Sequence, residues 1–113
     1  MRREASDPEG GPTLACKLGA MDAEQGKRYR ALRQLLSADF TEARELENGY
    51  AFRYSRDAGV LVALAEYVSL ERLWCPFFDF AIEVGRDGGE VWLRMTGPEG
   101  AREILEDEMG YRP

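Results

Sequence analysis

Pro76 separates two incompatible patterns. From about Ala58 to Trp74 apolar residues recur at helical spacing, and Asp57 stands in front of them as an N-cap. From Phe77 to Val84 the pattern alternates, with Phe78, Phe80, Ile82 and Val84 on one face of a strand. Proline stops the helix, because the residue before it, Cys75, avoids helical geometry. A helix that runs straight into an aromatic strand demands a fold in which helices and a sheet share one core.

The remaining elements fit that demand. Thr13 to Leu18 alternates Leu14, Cys16 and Leu18 against Ala15 and Lys17, a short strand with Cys16 on its apolar side. Asp22 and Gln25 form a capping box that opens a helix whose inner stripe is Tyr29, Leu32, Leu35 and Leu36. Thr41 to Ser55 reads as a hairpin. A three-residue loop, Glu47-Asn48-Gly49 with Gly49 left-handed, pairs Leu46 with Tyr50 and is preferred over a two-residue Asn48-Gly49 turn. Gly85 to Gly89 turns the chain between two strands, which makes it a hairpin turn rather than a phosphate loop. Val91, Leu93 and Met95 face inward on the return strand. The last helix starts near Pro98, carries Ala101, Ile104, Leu105 and Met109, and ends at Gly110. The expectation is one two-layer α+β domain over residues 13–113. It has three helices on one face of about five mainly antiparallel strands, and a split β-α-β arrangement of ferredoxin-like character. Residues 1–12 read as a flexible arm rather than a signal peptide, since no apolar segment follows their charges.

Several functions are excluded by what the chain lacks. Its 113 residues contain no histidine, which removes Ser-His-Asp and Cys-His relays and histidine-containing zinc sites. The net charge of -6 is spread without a basic face, so nucleic acid is not an expected partner. No apolar run is long enough to span a membrane. The expected address is the cytoplasm, where cysteines are usually reduced.

The candidate chemistry sits just before Pro76. On a helical wheel, the polar arc of the second helix centres about 160° away from Glu71, which falls instead between Tyr67 and Leu64, with Cys75 about 40° further round. Glu71 and Cys75 therefore share an apolar face at i and i+4. A carboxylate there needs a partner or a proton. Three partners are open: a cation from Arg44, Arg53 or Arg94, the backbone N–H groups of a loop, or a metal shared with Cys75 and Cys16. Cys75 is poorly placed as a nucleophile, because a helix C-terminus disfavours the thiolate. Strand alternation also puts Phe77 and Trp92 on the sheet face opposite Phe78 and Leu93, and an uncovered apolar patch of that kind predicts a homodimer.

Four segments carry a resemblance: 14–21, 49–53, 92–100, and above all Glu71-Arg72-Leu73-Trp74-Cys75-Pro76-Phe77-Phe78. Over nearly everything after Pro12 the chain resembles a family of small bacterial proteins with an E-R-x-C-C-P-F-F pattern. The doubled cysteine implies a thiol-based metal site together with the cysteine matching Cys16. In this chain Trp74 takes the first cysteine's place, so one ligand of that set is missing.

These readings together predict a binding module for a soft metal ion or small ligand. Its site residues are Cys16, Glu71 and Cys75, with Trp74, Phe77 and Trp92 at a pocket or interface. A ligand-free interaction protein and a thiol- or carboxylate-dependent enzyme stand as the alternatives.

Overall fold

The computed structural model describes residues 16, 17 and 19–113. The expected arm at 1–12 lies outside them, as does most of the expected first strand. Of that strand, Cys16 and Lys17 are described, and neither is in a strand. The elements run α1 (Ala23–Asp39), β1 (Glu42–Leu46), β2 (Gly49–Tyr54), α2 (Ala58–Trp74), β3 (Asp79–Val84), β4 (Val91–Thr96) and α3 (Ala101–Met109). The described sheet therefore has four strands rather than five, in the order β1-β2-β4-β3, and every neighbouring pair is antiparallel. Because β2 and β3 both run antiparallel to β4, they run parallel to each other with β4 between them. Helix α2 connects them, which makes a split β-α-β unit.

Local chemistry sets the boundaries. The Asp22 carboxylate accepts the Gln25 N–H at 2.8 Å, and the Gln25 side chain accepts the Asp22 N–H at 3.0 Å, closing the capping box of α1. Asp57 caps α2 by accepting from the Gly59 N–H at 2.8 Å. The last carbonyl turn of α2 is closed by Cys75, whose N–H donates to the Glu71 carbonyl at 2.7 Å before Pro76. Pro98 and Glu99 lie in a turn before α3 and do not open it. Ala101 is the first helical residue, preceded by Gly100 at φ 98°.

The β1–β2 hairpin differs from the expectation. Leu46 pairs with Gly49 and Glu45 with Tyr50, so Glu47 and Asn48 alone make the turn. Gly49 is inside β2 and has no positive φ. It is glycine because β4 comes too close: a Cβ there would stand 1.9 Å from the Met95 carbonyl oxygen.

The inner face of the sheet carries Tyr50, Phe52, Tyr54, Val91, Leu93 and Met95, all buried, against Tyr29, Leu32, Leu36, Leu64, Tyr67, Leu105 and Met109 of the helices. Leu35, expected on the inner stripe of α1, is 47% exposed. The outer face is mostly charged. Arg53 pairs with Glu42 at 3.2 Å and lies 3.7 Å from Glu90, Arg94 lies 3.8 Å from Glu83, and Arg44 pairs with Glu42 at 2.8 Å. The Arg44 guanidinium also covers the Trp92 ring at 4.6 Å. Phe77 is not on that face. It sits in the turn before β3 and packs on Phe78, ring centres 4.6 Å apart. The broad apolar patch behind the homodimer expectation is thus replaced by ion pairs around one covered tryptophan. No helix among the described residues is long and apolar enough to cross a membrane.

Candidate functional site: a disulfide over two buried carboxyls

The end of α2 places Cys75 and Glu71 one turn apart on the same buried face, both with no solvent exposure. Cys16 reaches Cys75 from the segment before α1, and the two are joined as a disulfide across 59 residues of chain. The segment is also fixed by its backbone, since the Lys17 N–H donates to the Trp74 carbonyl at 2.6 Å. Cys16 keeps partial exposure while Cys75 has none.

Among the described residues, neither an expected cation nor a loop N–H meets Glu71. Arg44, Arg53 and Arg94 belong to the outer face of the sheet, on the far side from α2. A second acid, Glu108 of α3, faces Glu71 instead, itself only 8% exposed. Its Oε2 lies 3.4 Å from the Cys75 sulfur. The Tyr29 and Tyr67 rings stack beside the pair with centres 5.9 Å apart, and their hydroxyls stand next to Glu71 and Glu108 respectively. Among the described residues, no oxygen of Glu71 meets a donor in hydrogen-bonding geometry. Nor do Oε1 of Glu108 and the two tyrosine hydroxyls have a partner among the described residues.

Two acids with no cation between them cannot both ionise. Burial pushes the Glu71 carboxyl up to about 9, and the facing Glu108 adds to the rise, while Tyr29 and Arg33 pull the other way. Glu108 is also raised by burial, opposed by Glu71, Arg33 and Tyr67. Arg33 acts from the rim, where its Nε donates to the Glu108 carbonyl at 3.1 Å. The pair therefore holds a proton at neutral pH. Burial and the two carboxylates likewise raise both tyrosines well above their usual range.

The chemistry of the cluster follows from the sulfur. A disulfide sulfur has no proton to give, so the contact of Cys75 with Glu108 is favourable when Glu108 is the protonated member. When the disulfide opens, Cys75 becomes a thiolate at a helix C-terminus, the least favourable end for negative charge. The proton shared by Glu71 and Glu108 can reach it through Glu108, whose oxygen stands 3.4 Å away.

Two surface depressions border the cluster, one at Tyr29 and one at Glu108. A cleft of about 170 Å³ lined by Met21, Gly26, Tyr29, Arg30, Arg33 and Trp74 ends on Tyr29. A shallower groove between α1 and α3 is lined by Arg30, Arg33 and Glu108 among others. Trp74 lines the first cleft, whereas Phe77 and Trp92 line neither. Glu108 was hidden in plain view in the sequence. Ala101, Ile104, Leu105, Glu108 and Met109 follow i, i+3, i+4, i+7, i+8, and the same wheel that exposes Glu71 puts Glu108 on the apolar stripe of α3.

Comparison of the chain with protein-family models, curated proteins and solved structures returns no match, so the functional reading stands on the residues and their geometry.

Proposed function

We propose that the protein is a thiol–disulfide redox element in which Cys16 and Cys75 exchange electrons and the Glu71–Glu108 pair supplies and recovers the proton. The observation that carries this reading is the Glu108 carboxyl 3.4 Å from the buried sulfur, paired with a second acid that keeps a proton in place. A disulfide that only fastens the chain has no use for two facing acids in its wall, since such groups cost stability when buried.

The exchange runs in two steps. A thiolate of a small thiol attacks the sulfur of Cys16, the less buried of the two cysteines. A mixed disulfide forms on Cys16, and the Cys75 thiolate leaves and takes the proton held by the pair. A second thiolate then attacks the sulfur of the small thiol, releasing Cys16 as thiolate and a small-molecule disulfide. Two electrons enter the protein, and the Cys16 thiolate takes its proton from water. In the cytoplasm, the address expected from composition, the glutathione pool is the natural partner of such an exchange.

The test is the rate of reduction of the native disulfide by glutathione against pH, in the wild type and in Glu108→Gln. Loss of the proton donor is expected to slow reduction by about 10²-fold or more at neutral pH and to flatten the alkaline fall in the pH profile. A native disulfide that stays closed in reduced glutathione, or a Glu108→Gln rate equal to wild type, returns the pair to a purely structural staple.

A further inference from the structure

The same cluster has a second chemistry once the disulfide is open. Cys16 Sγ, Cys75 Sγ and one Glu108 oxygen all lie within 4.8 Å of one another, and these atoms make the only such donor group among the described residues. Behind them stand both oxygens of Glu71, fully buried and without a donor among the described residues. We propose, resting on the redox reading above, that the reduced protein binds one thiophilic divalent cation of the zinc and cadmium class through Cys16, Cys75 and Glu108, and that re-forming the disulfide releases it.

The distances suit that class. Around a tetrahedral zinc, a thiolate sulfur at about 2.3 Å and a carboxylate oxygen at about 2.1 Å stand roughly 3.6 Å apart. The Cys75 sulfur and the Glu108 oxygen are already at 3.4 Å. Two thiolates on one ion stand about 3.8 Å apart, so Cys16 must withdraw from Cys75 after reduction. It lies in neither helix nor strand, so its withdrawal breaks no helical or sheet hydrogen bond.

The charge also fits. Two thiolates and one carboxylate are a poor set to bury alone and a good set around a dication. Coordination favours the thiolate of Cys75 despite its place at a helix end. Glu71 stands behind Glu108, in the position of the outer carboxyl that commonly orients a metal ligand. A hard ion such as magnesium or calcium is a poor match for two sulfurs.

Release is chemically balanced. Two cysteine thiolates and a small-molecule disulfide give the Cys16–Cys75 disulfide and two small thiolates, and the metal leaves as the dication. Metal retention and disulfide are thus mutually exclusive states of one pair of sulfurs.

The test uses the full chain reduced with a phosphine, desalted without oxygen and counted for thiols before titration with Cd²⁺ and Zn²⁺. Native mass spectrometry and the cadmium–thiolate charge-transfer band report binding, and circular dichroism reports folding. One equivalent is expected in the reduced protein and none in the oxidised protein. Glu108→Gln is expected to keep the cadmium band and lose at least tenfold in affinity. Cys16→Ser is expected to lose most of the band.

A protein with two free thiols that takes up no metal overturns the metal site and leaves the redox reading standing. A native chain whose thiol count stays at zero sinks the redox reading itself. If the reduced chain loses its fold, addition of zinc is expected to restore it, and failure to do so also overturns the site. Equal binding by the oxidised protein, or Glu108→Gln binding as tightly as wild type, does the same.

Discussion

At the scale of single residues, Glu71 decides how the protein responds to pH. Its carboxyl is protonated in the fold up to about pH 9 because burial and Glu108 oppose the charge, while in the unfolded chain it ionises near the ordinary glutamate value. Between those limits the native state binds more protons than the unfolded one, so stability falls as pH rises. The part of stability that depends on this proton is fully present below the unfolded value and is lost as pH climbs through the native one. Each proton held this way gives a slope of at most about 1.4 kcal/mol per pH unit. Thermal melts of the oxidised protein from pH 5 to pH 9 are expected to show a steady fall in Tm. Glu71→Gln removes the titrating group while keeping the shape, and its melts are expected to be flatter over the same range and to lie above wild type at pH 9. A wild-type Tm that rises across that window contradicts a protonated Glu71.

At the scale of elements, the reading of the sequence succeeded where one residue type has one strong reason to be where it is. Asp22, Asp57 and Pro76 are such residues, and α2 runs from Ala58 to Trp74 as its cap and its proline require. The alternation of Val91, Leu93 and Met95 also predicts their faces, because a strand has period two. It failed where a residue has two possible reasons. Gly49 beside Asn48 invites a left-handed turn position, yet the glycine serves the contact between β2 and β4, which no local pattern discloses. The failure moves every β1 partner by one and turns Leu46 to the outer face. A direct consequence is that Gly49→Ala is not a mild change. Its methyl would enter the Met95 carbonyl, and the sheet must open at its central pair to admit it. A loss of roughly 2–3 kcal/mol is expected by urea denaturation. Gly88→Ala is a useful contrast: its φ of 67° strains any side chain, but nothing lies within 4 Å, so about 1 kcal/mol is expected there. Equal losses at the two positions are not compatible with the close approach of β2 and β4.

At the scale of the whole molecule, the site is built from three places far apart in the chain: the segment before α1, the end of α2 and the end of α3. The wheel found the middle one. It did not find Glu108, because a glutamate near a helix end reads as solvated until its own stripe is drawn. It did not find the disulfide either, because a separation of 59 residues carries no motif and only the fold brings the two sulfurs together.

That same separation makes the cross-link a large term in global stability. Closing a loop of this length in the unfolded chain removes conformational freedom worth on the order of 4 kcal/mol. Urea denaturation of the oxidised and the phosphine-reduced protein at neutral pH is therefore expected to differ by about 3–4 kcal/mol. The oxidised form is expected to have the smaller m-value as well, because its cross-linked unfolded state exposes less surface. Thermodynamic closure then ties this gap to function. The disulfide is harder to reduce in the fold than in the unfolded chain by the same free energy. Any proton that Glu108 gives to Cys75 narrows the gap by favouring the reduced native state, and zinc held by the thiols narrows it further. Added zinc is expected to raise the midpoint of the reduced protein and leave the oxidised one unmoved. A gap that is the same with and without zinc, and the same at pH 6 and pH 9, describes a disulfide that is energetically deaf to the carboxyls beside it.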